Sequence, residues 1–251
     1  IFDLVKRIDL RAANKKAFEN LLLAGGMDSF GETHRAQYLN PDGDGITFLE
    51  KVIRFGSKYQ ENLNSAQTSL FGEETDETYQ DLTIPPSEPW KNLIRLKKEK
   101  EVVGIYISAH PLDDFTHEME HFTNISLAQL GDLDRLINRE LNIGGIVNEV
   151  EHLESRNGKA WARFMVEDFS DQYEFRIFGE DYLKYRHFLV VNQFIRIRTM
   201  VRPGWTNKET GKVGSPRIQY LSFEMLQNTV ETNSKKLTIQ LDIHKLQSEK
   251  I

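Results

Sequence analysis

The sequence predicts an α+β protein in which a helical region comes first and a small β-sheet domain follows. Two observations support this: apolar residues recur at helical spacing through the first half, and β-type alternation replaces that spacing further on. The 251-residue chain is long enough for two modest domains and a connector. We divide it into a helical region at residues 1–66, a linker segment at 67–90, a helical connector at 91–139, the β-sheet domain at 140–227 and the start of a further, truncated domain at 228–251.

The composition favours a reducing compartment. The chain has no cysteine, which excludes disulfides and thiolate metal sites. Its longest apolar runs are far shorter than the roughly 20 residues of a spanning helix, and no signal peptide pattern opens the chain. We therefore expect a cytoplasmic protein without membrane contact. The first residue is Ile1 and not Met, which favours a fragment of a longer protein.

The negative charge is unevenly distributed. The formal net charge is -6, and residues 41–90 hold ten acidic and three basic side chains. Residues 141–227, by contrast, are nearly neutral. A low average isoelectric point therefore does not exclude contact with nucleic acid outside the acidic segment.

The first 66 residues are predicted to form short helices around two glycines. Asn14 is a candidate N-cap for "KKAFENLLLA", and a new helix is expected to start at Met27-Asp28, after Gly25 and Gly26. This order indicates a helix-hairpin-helix element, whose glycines let the backbone approach a phosphate while the next helix donates its amides. The alternative, which the local string favours, is that Gly25 simply ends a helix in a small bundle.

Two patterns resemble metal sites. The stretch "NPDGDGITFLE" has the carboxylates of a calcium loop, but its register is one residue short, so a turn is favoured. His117 and His121 have the spacing of a helical metal pair, with His110 nearby, yet the HExxH arrangement is missing. We expect solvated or capping histidines here, and we assign no catalytic residue, metal site or cofactor.

Residues 140–227 contain five β-like segments. An "RNGK" turn separates the first two, and a short helix, "EDYLKYRHFL", follows the third. This is the element order of a five-stranded OB-fold barrel. The glycine pair in "NIGGIV" fits a first strand that must bend.

Alternation divides the strand residues between an inner and an outer side. We place Ala160, Ala162, Phe164 and Val166 of the second strand on one face, and Ile195, Ile197, Thr199 and Val201 of the fourth in the core. Aromatic rings and guanidinium groups on the other side suit a single-stranded nucleic acid. With the adjoining loops, the DNA-binding candidates are Arg156, Lys159, Trp161, Arg163, Arg196, Arg198, Arg202, Trp205, Lys208 and Lys212, with Asn157 and Arg217 beside them. The alternative is that these charges only solvate a barrel that binds protein or nothing.

The segment "NSAQTSLFGEE" places Leu70 and Phe71 side by side in a polar stretch. The residues that follow are acidic and rich in proline, so they cannot bury a core, and we interpret them as a linker. Two large apolar residues in such a segment either bind a partner or fold back and pack on the preceding helix. The local string does not separate these alternatives.

Taken in order, these pieces resemble the C-terminal third of the alpha subunit of bacterial DNA polymerase III. The resemblance is carried by "FDLVKRIDLRAANKKAFENLLLAGGMDSFG", "QTSLFG", "EVVGIYISAHPLDDF" and the OB-fold order. It implies that Gln67, Leu70 and Phe71 bind a sliding clamp. It also implies that the helix-hairpin-helix binds duplex DNA and the OB-fold binds single strands, within a processive replicase that has further subunits.

The same resemblance implies that the polymerase active site lies upstream of Ile1. The chain itself is then not expected to be an enzyme, although its parent would be a DNA-directed DNA polymerase. Residues 228–251 are too short to show the domain that follows in this family. The alternatives are a metal-dependent hydrolase using the acidic residues and histidines, or an OB-fold module that binds RNA.

Overall fold

The computed structural model describes residues 1–31, 33–66, 82–205 and 213–236. The chain divides into two compact units, Ile1–His110 and Pro111–Ile251. The boundary falls inside the segment 91–139 that the sequence predicts as a helical connector. In the four described ranges, no helix has both the length and the apolar character needed to span a bilayer.

The first unit is helical. The helical spacing of apolar residues in the first half of the sequence does form helices. The Asn14 side chain caps the helix that begins at Lys15 by accepting a hydrogen bond from the Ala17 amide. The core of this unit includes the fully buried Val5, Leu49 and Val52. Its helices are α1 Phe2–Arg7, α2 Lys15–Leu23, α3 Arg35–Leu39, α4 Phe48–Ala66 and α5 Asn92–Val103.

A buried ion network organises the same unit. Glu99 of α5 is fully buried and accepts hydrogen bonds from the amides of Ile107 and Ser108, both at 2.6 Å, and from the Ser108 hydroxyl. Arg35 of α3 donates to Glu99 at 3.3 Å and to the Leu23 carbonyl at 2.9 Å. One carboxylate therefore joins α5, the chain that follows it and the start of α3.

The second unit contains the five predicted strands. They are β1 Glu140–Glu154, β2 Ala160–Glu167, β3 Gln172–Phe178, β4 Phe194–Arg202 and β5 Arg217–Met225, and the helix expected after the third strand is α7 Gly179–Tyr185. Two further helices, α6 Thr116–Phe122 and α8 Leu226–Asn233, precede and follow the sheet. The predicted order of elements in this region is thus confirmed.

The strands form an antiparallel sheet in the order β3-β2-β1-β4-β5. The long strand β1 serves two neighbours: its first half pairs with β4 and its second half with β2, with a register shift between Val147 and Glu149. The backbone ladder is open, in contrast to the closed barrel that the sequence predicts. In the described residues the Tyr220 hydroxyl of β5 donates to the Arg176 carbonyl of β3 at 3.0 Å, so side chains link the two edge strands.

Close packing explains the glycine pair in β1 better than bending alone does. A Cβ atom on Gly145 would lie 2.6 Å from the Glu167 carbonyl oxygen of β2, and one on Gly144 would overlap Met119 of α6. A side chain at Gly145 would therefore collide with β2, and one at Gly144 would collide with residues of α6.

Candidate nucleic-acid interface

Strand pairing places three rows of side chains on one surface of β1, β2 and β3. Of the four β2 residues that alternation places on one face, Ala162, Phe164 and Val166 are buried and Ala160 is exposed, and the intervening residues point to the other side. We call this other side the outer face. Its rows are Leu153, Trp161 and Phe178; Glu151, Arg163 and Arg176; and Glu149, Met165 and Glu174.

The first row is an aromatic platform. The Trp161 and Phe178 rings are stacked, with centroids 5.1 Å apart and planes at 17°. Phe178 is 57% exposed, so one face of the stack is open to a further ring. The β1–β2 turn lies directly beside it and carries Arg156 and Lys159, both exposed. A stacked base with its phosphate near this turn is the contact that such an arrangement supports.

The second and third rows pair their arginines with carboxylates. Arg163 donates to both oxygens of Glu151, at 2.9 and 2.7 Å, and Arg176 pairs with Glu174 at 2.8 Å. The hydrogen bonds from Arg163 lower the pKa of the Glu151 carboxyl. This pairing was foreseeable from Glu149 and Glu151, because they stand at alternate positions of β1 and therefore share a face.

The β4 arginines lie elsewhere on the sheet. Arg196 is opposite Gly144 in the first half of β1, whereas Arg163 is opposite Glu151 in the second half. These two β1 positions are seven residue steps apart, which corresponds to about 23 Å along an extended strand. The structure therefore does not bring the arginines of β2 and β4 into one groove.

The prediction that Arg196 is an exposed DNA contact is wrong. Its residue surface is 7% exposed, and its guanidinium is ion-paired with Glu224 and donates to the Asn142 side chain at 2.9 Å. Helix α8 packs against β4 and β5, and its Asn233 side chain donates to Glu224. The alternation correctly placed Arg196 outside the strand core, but a helix from the same unit covers that surface.

The other two β4 arginines are partly exposed and already have partners. Arg198 donates to Glu140 at 2.6 Å and Arg202 donates to Gln219 at 2.9 Å. By contrast, Trp205 in the β4–β5 loop is 76% exposed, and the Arg217 guanidinium lies 4.4 Å from its ring centroid. An exposed ring with a guanidinium beside it has the chemistry that base stacking requires. Lys208 and Lys212 lie outside the described residues.

The region around Gly25 and Gly26 differs from the predicted helix-hairpin-helix. Gly25 has a φ of 85°, and the Gly26 amide donates to the Leu21 carbonyl, so the glycines end α2. Residues 27–30 form turns, and the next helix begins only at Arg35, so the helix predicted at Met27-Asp28 is wrong.

The Arg35 guanidinium fills the space over Gly25. A Cβ atom on Gly25 would collide with this guanidinium, which pairs with Asp28 at 2.7 Å. The helix-hairpin-helix prediction placed a phosphate close to the Gly25 backbone. In the structure, the Arg35 side chain of the same unit occupies that position.

Among known proteins, this chain is similar to subunits of bacterial DNA polymerase III. No model of a known protein family matches the chain. The alpha subunit of DNA polymerase III from Vibrio cholerae serotype O1 is 26% identical over 244 residues, which cover 92% of this chain and 20% of the relative. The corresponding subunit from Campylobacter jejuni is 30% identical over 181 residues, which cover 71% of this chain and 14% of the relative.

This chain is homologous to the DNA polymerase III alpha subunit. It spans about a fifth or less of the length of these relatives. Among solved structures, a small single-stranded DNA-binding protein from Streptomyces coelicolor matches 35% of the chain at 13% identity. Its TM-score is 0.20, which is too low for the match to indicate a shared fold.

The clamp-binding segment inferred from the resemblance to DNA polymerase III alpha lies outside the described residues. This applies to Gln67, Leu70 and Phe71, and also to the chain after residue 236. The assignment of these three side chains therefore remains a prediction from sequence.

The two metal-like patterns have other partners in this DNA polymerase III alpha homologue. Asp42 accepts hydrogen bonds from the amides of Asp44 and Ile46 and pairs with Lys51 at 2.5 Å, as a turn residue does. The exposed rings of His117 and His121 are 4.6 Å apart. Across the described ranges, no three or more histidine, aspartate or glutamate side chains are grouped to hold a metal ion.

Proposed function

We propose that this chain is a DNA-binding, non-catalytic part of a replicative polymerase, and that its outer face binds single-stranded DNA. The observation that supports this most is the stack of the half-buried Trp161 on the exposed Phe178 beside a basic turn, on a sheet with the strand order of an OB-like fold. The homology to DNA polymerase III alpha supports DNA over RNA as the ligand.

The mode of binding follows from the distribution of aromatic and charged groups. A base stacks on Phe178, which extends the existing pair with Trp161. The exposed cations Arg156 and Lys159 of the β1–β2 turn contact the phosphates. Since phosphate contacts release counterions, the affinity falls as salt rises, while the stacking contribution persists.

The first prediction concerns the aromatic platform. We expect the double variant Trp161→Ala/Phe178→Ala to bind a fluorescein-labelled single strand at least tenfold more weakly, because each base–aromatic stack contributes about 1–3 kcal/mol. Fluorescence anisotropy at several salt concentrations measures this affinity. Leu183→Ala is the matched control, because Leu183 is an apolar residue of α7 that is 63% exposed and lies off the outer face.

Equal affinities for the chain and its double variant would contradict this interface. A matching single-stranded RNA in the same titration tests the RNA-binding alternative. Equal or tighter binding of that RNA would favour the alternative over DNA.

We propose, second, that residues 67–71 bind the sliding clamp of the same replicase. The sequence places Gln67, Leu70 and Phe71 in a stretch whose composition does not support a core of its own. An apolar pocket on a clamp would bury the two apolar side chains, and Gln67 would supply hydrogen bonds. Burial of both side chains contributes on the order of 3–6 kcal/mol before ordering costs, which corresponds to a weak tether.

The corresponding prediction compares two double variants. We expect Leu70→Ala/Phe71→Ala to lose tenfold or more in affinity for the clamp, because both buried side chains are truncated. We expect Thr68→Ala/Ser69→Ala, the matched control in the same segment, to bind like the unchanged chain. Isothermal titration with a purified bacterial clamp measures both. Indistinguishable affinities of the two variants would remove the motif assignment.

A further inference from the structure

Helix α5 and the residue before it carry a dense run of cations. Five of the eleven residues from 91 to 101 are basic and two are acidic. The structure separates these charges, because Glu99 is fully buried and its carboxylate binds Arg35 and the chain that follows α5. The outward side of α5 is therefore more cationic than its sequence indicates, with Glu101 as the exposed carboxylate of this helix.

Three of the cations form a stripe along the helix. Lys91, Arg95 and Lys98 are spaced by four and three residues, so their side chains project from neighbouring positions on one side. We call these three residues the α5 stripe. At a rise of 1.5 Å per residue, its two ends lie about 10 Å apart along the helix axis.

The α5 stripe keeps its positive charge. Arg95 donates to the side chain of Asn92, which is neutral, at 3.0 Å. Among the described residues, no carboxylate pairs with any of the three cations. The arginines of the outer face differ, because glutamates neutralise Arg163 and Arg176. Cations without carboxylate partners on a folded surface attract a polyanion.

The segment before α5 orders one end of the stripe. The Trp90 indole N–H donates to the Asn40 side chain at 3.1 Å, and Asn40 donates to the Ser87 hydroxyl at 3.0 Å. The Lys98 ammonium lies 4.7 Å from the centroid of the Trp90 ring. This ring is half-buried and holds a cation, whereas base stacking uses an exposed ring such as Phe178.

A surface with ordered cations and no exposed ring suits the backbone of a double helix. Duplex DNA keeps its bases stacked inside and presents closely spaced phosphates, which lysine and arginine bind without reading the sequence. A single strand gains much of its affinity from stacking on aromatic side chains, and the α5 stripe does not offer this contact.

We propose that the α5 stripe binds the phosphate backbone of double-stranded DNA without preference for sequence. This inference rests on the proposed DNA-binding role and adds a second surface, which lies in the Ile1–His110 unit and takes a different form of DNA from the outer face.

The test is the salt dependence of binding to a short, blunt-ended, fluorescein-labelled duplex, measured on the full chain by fluorescence anisotropy. We expect Lys91→Gln/Arg95→Gln to bind about tenfold more weakly at low salt. Its plot of log affinity against log salt should be shallower by about 2, because each phosphate contact contributes roughly 0.9 to the slope. Lys98 is left unchanged so that its contact with Trp90 is kept.

Two controls separate the stripe from net charge and from the outer face. Arg54→Gln/Lys58→Gln removes the same two residue types at the same spacing from exposed positions on α4. We expect it to bind the duplex like the unchanged chain. Trp161→Ala/Phe178→Ala should also keep its duplex affinity, because these rings belong to the outer face.

Several results would overturn the proposal. Equal losses in the α5 and α4 variants would assign the effect to net charge, and a comparable loss in Trp161→Ala/Phe178→Ala would place the duplex on the outer face. Competition by poly-glutamate as effective as that by unlabelled duplex at equal charge would favour an acidic protein partner. A loss of single-strand affinity in the α5 variant as large as its loss for the duplex would contradict the preference for double-stranded DNA.

The outcomes also separate this inference from the function it rests on. Binding of single-stranded DNA without binding of the duplex would overturn the role of the α5 stripe and leave the outer face intact. Failure of both forms of DNA to bind would overturn the proposed function, and the α5 stripe with it.

Discussion

Replacement of Glu99 by alanine is expected to destabilise the Ile1–His110 unit by about 3–5 kcal/mol, the usual cost of removing one partner from a buried ion pair. The carboxylate is fully buried and accepts from two backbone amides, one hydroxyl and Arg35. Its loss leaves the guanidinium of Arg35, also nearly buried, with Asp28 as its remaining carboxylate partner in the described residues.

Hydrogen exchange and denaturant unfolding of the full chain measure this effect. We expect faster exchange at the Ile107 and Ser108 amides and a lower unfolding midpoint. Glu101→Ala is the matched control, because Glu101 is an exposed residue of the same helix. Similar stability of Glu99→Ala and Glu101→Ala would show that the network contributes little.

Glu99 also makes the stability of the Ile1–His110 unit depend on pH. Burial raises the pKa of the Glu99 carboxyl, but hydrogen bonds from Ser108, Ile107 and Arg35 outweigh it and hold that pKa below the ordinary range. A carboxyl with a lowered pKa stabilises the fold above its unfolded-state pKa, and this contribution is lost as pH falls through the folded-state value. The Glu99→Gln variant should therefore show a shallower loss of stability on acidification.

Replacement of Asp168 by alanine is expected to destabilise the second unit by on the order of 3 kcal/mol, because charge-assisted hydrogen bonds to backbone donors are lost. The buried Asp168 carboxylate accepts from the amides of Leu127, Ser170 and Asp171 at 2.7, 2.7 and 2.9 Å. It thus fixes the β2–β3 turn to the short helical turn Leu127–Gly131. The hydrogen bond from the Leu127 amide is buried, so the substitution leaves a buried donor without its acceptor.

Thermal and denaturant unfolding of Asp168→Ala check this prediction. Asp171→Ala is the control, since the exposed Asp171 side chain bonds only its neighbouring Gln172 amide among the described contacts and should cost under about 1 kcal/mol. Asp168→Asn separates charge from hydrogen bonding, because the amide keeps one acceptor. A loss in Asp168→Ala no larger than that in Asp171→Ala would contradict the assigned role.

The strands were predictable because the evidence for each is local. In β4 the alternation of Ile195, Ile197 and Val201 with arginines identifies both the strand and its core face without reference to any other segment. The glycines of α2 show the limit of such evidence. The same string describes a helix end and a phosphate-binding hairpin, and the choice depends on Arg35, which follows Gly25 by ten residues and occupies the space over it.

The candidate site was predictable in its parts but not in its assembly. Trp161 and Arg163 do lie on the outer side of β2, as alternation requires. Their partners were not visible, because Phe178 and Glu151 come from neighbouring strands whose register only the folded sheet defines. Nor does alternation reveal that α8 packs against β4 and β5 and donates from Asn233 to Glu224, the ion-pair partner of Arg196, since this depends on how a later helix returns to the sheet.

The sequence by itself determined the element order of the β-sheet unit, the inner faces of β2 and β4 and the relationship to DNA polymerase III alpha. Each of these depends on residue types read along one stretch of chain. The tertiary structure alone decided which charges are neutralised. The contact between Arg35 and Glu99 joins residues 64 positions apart, and Arg196 is ion-paired with a residue of another strand. Electrostatic pairing depends on distance in space, and strand register and helix packing set that distance.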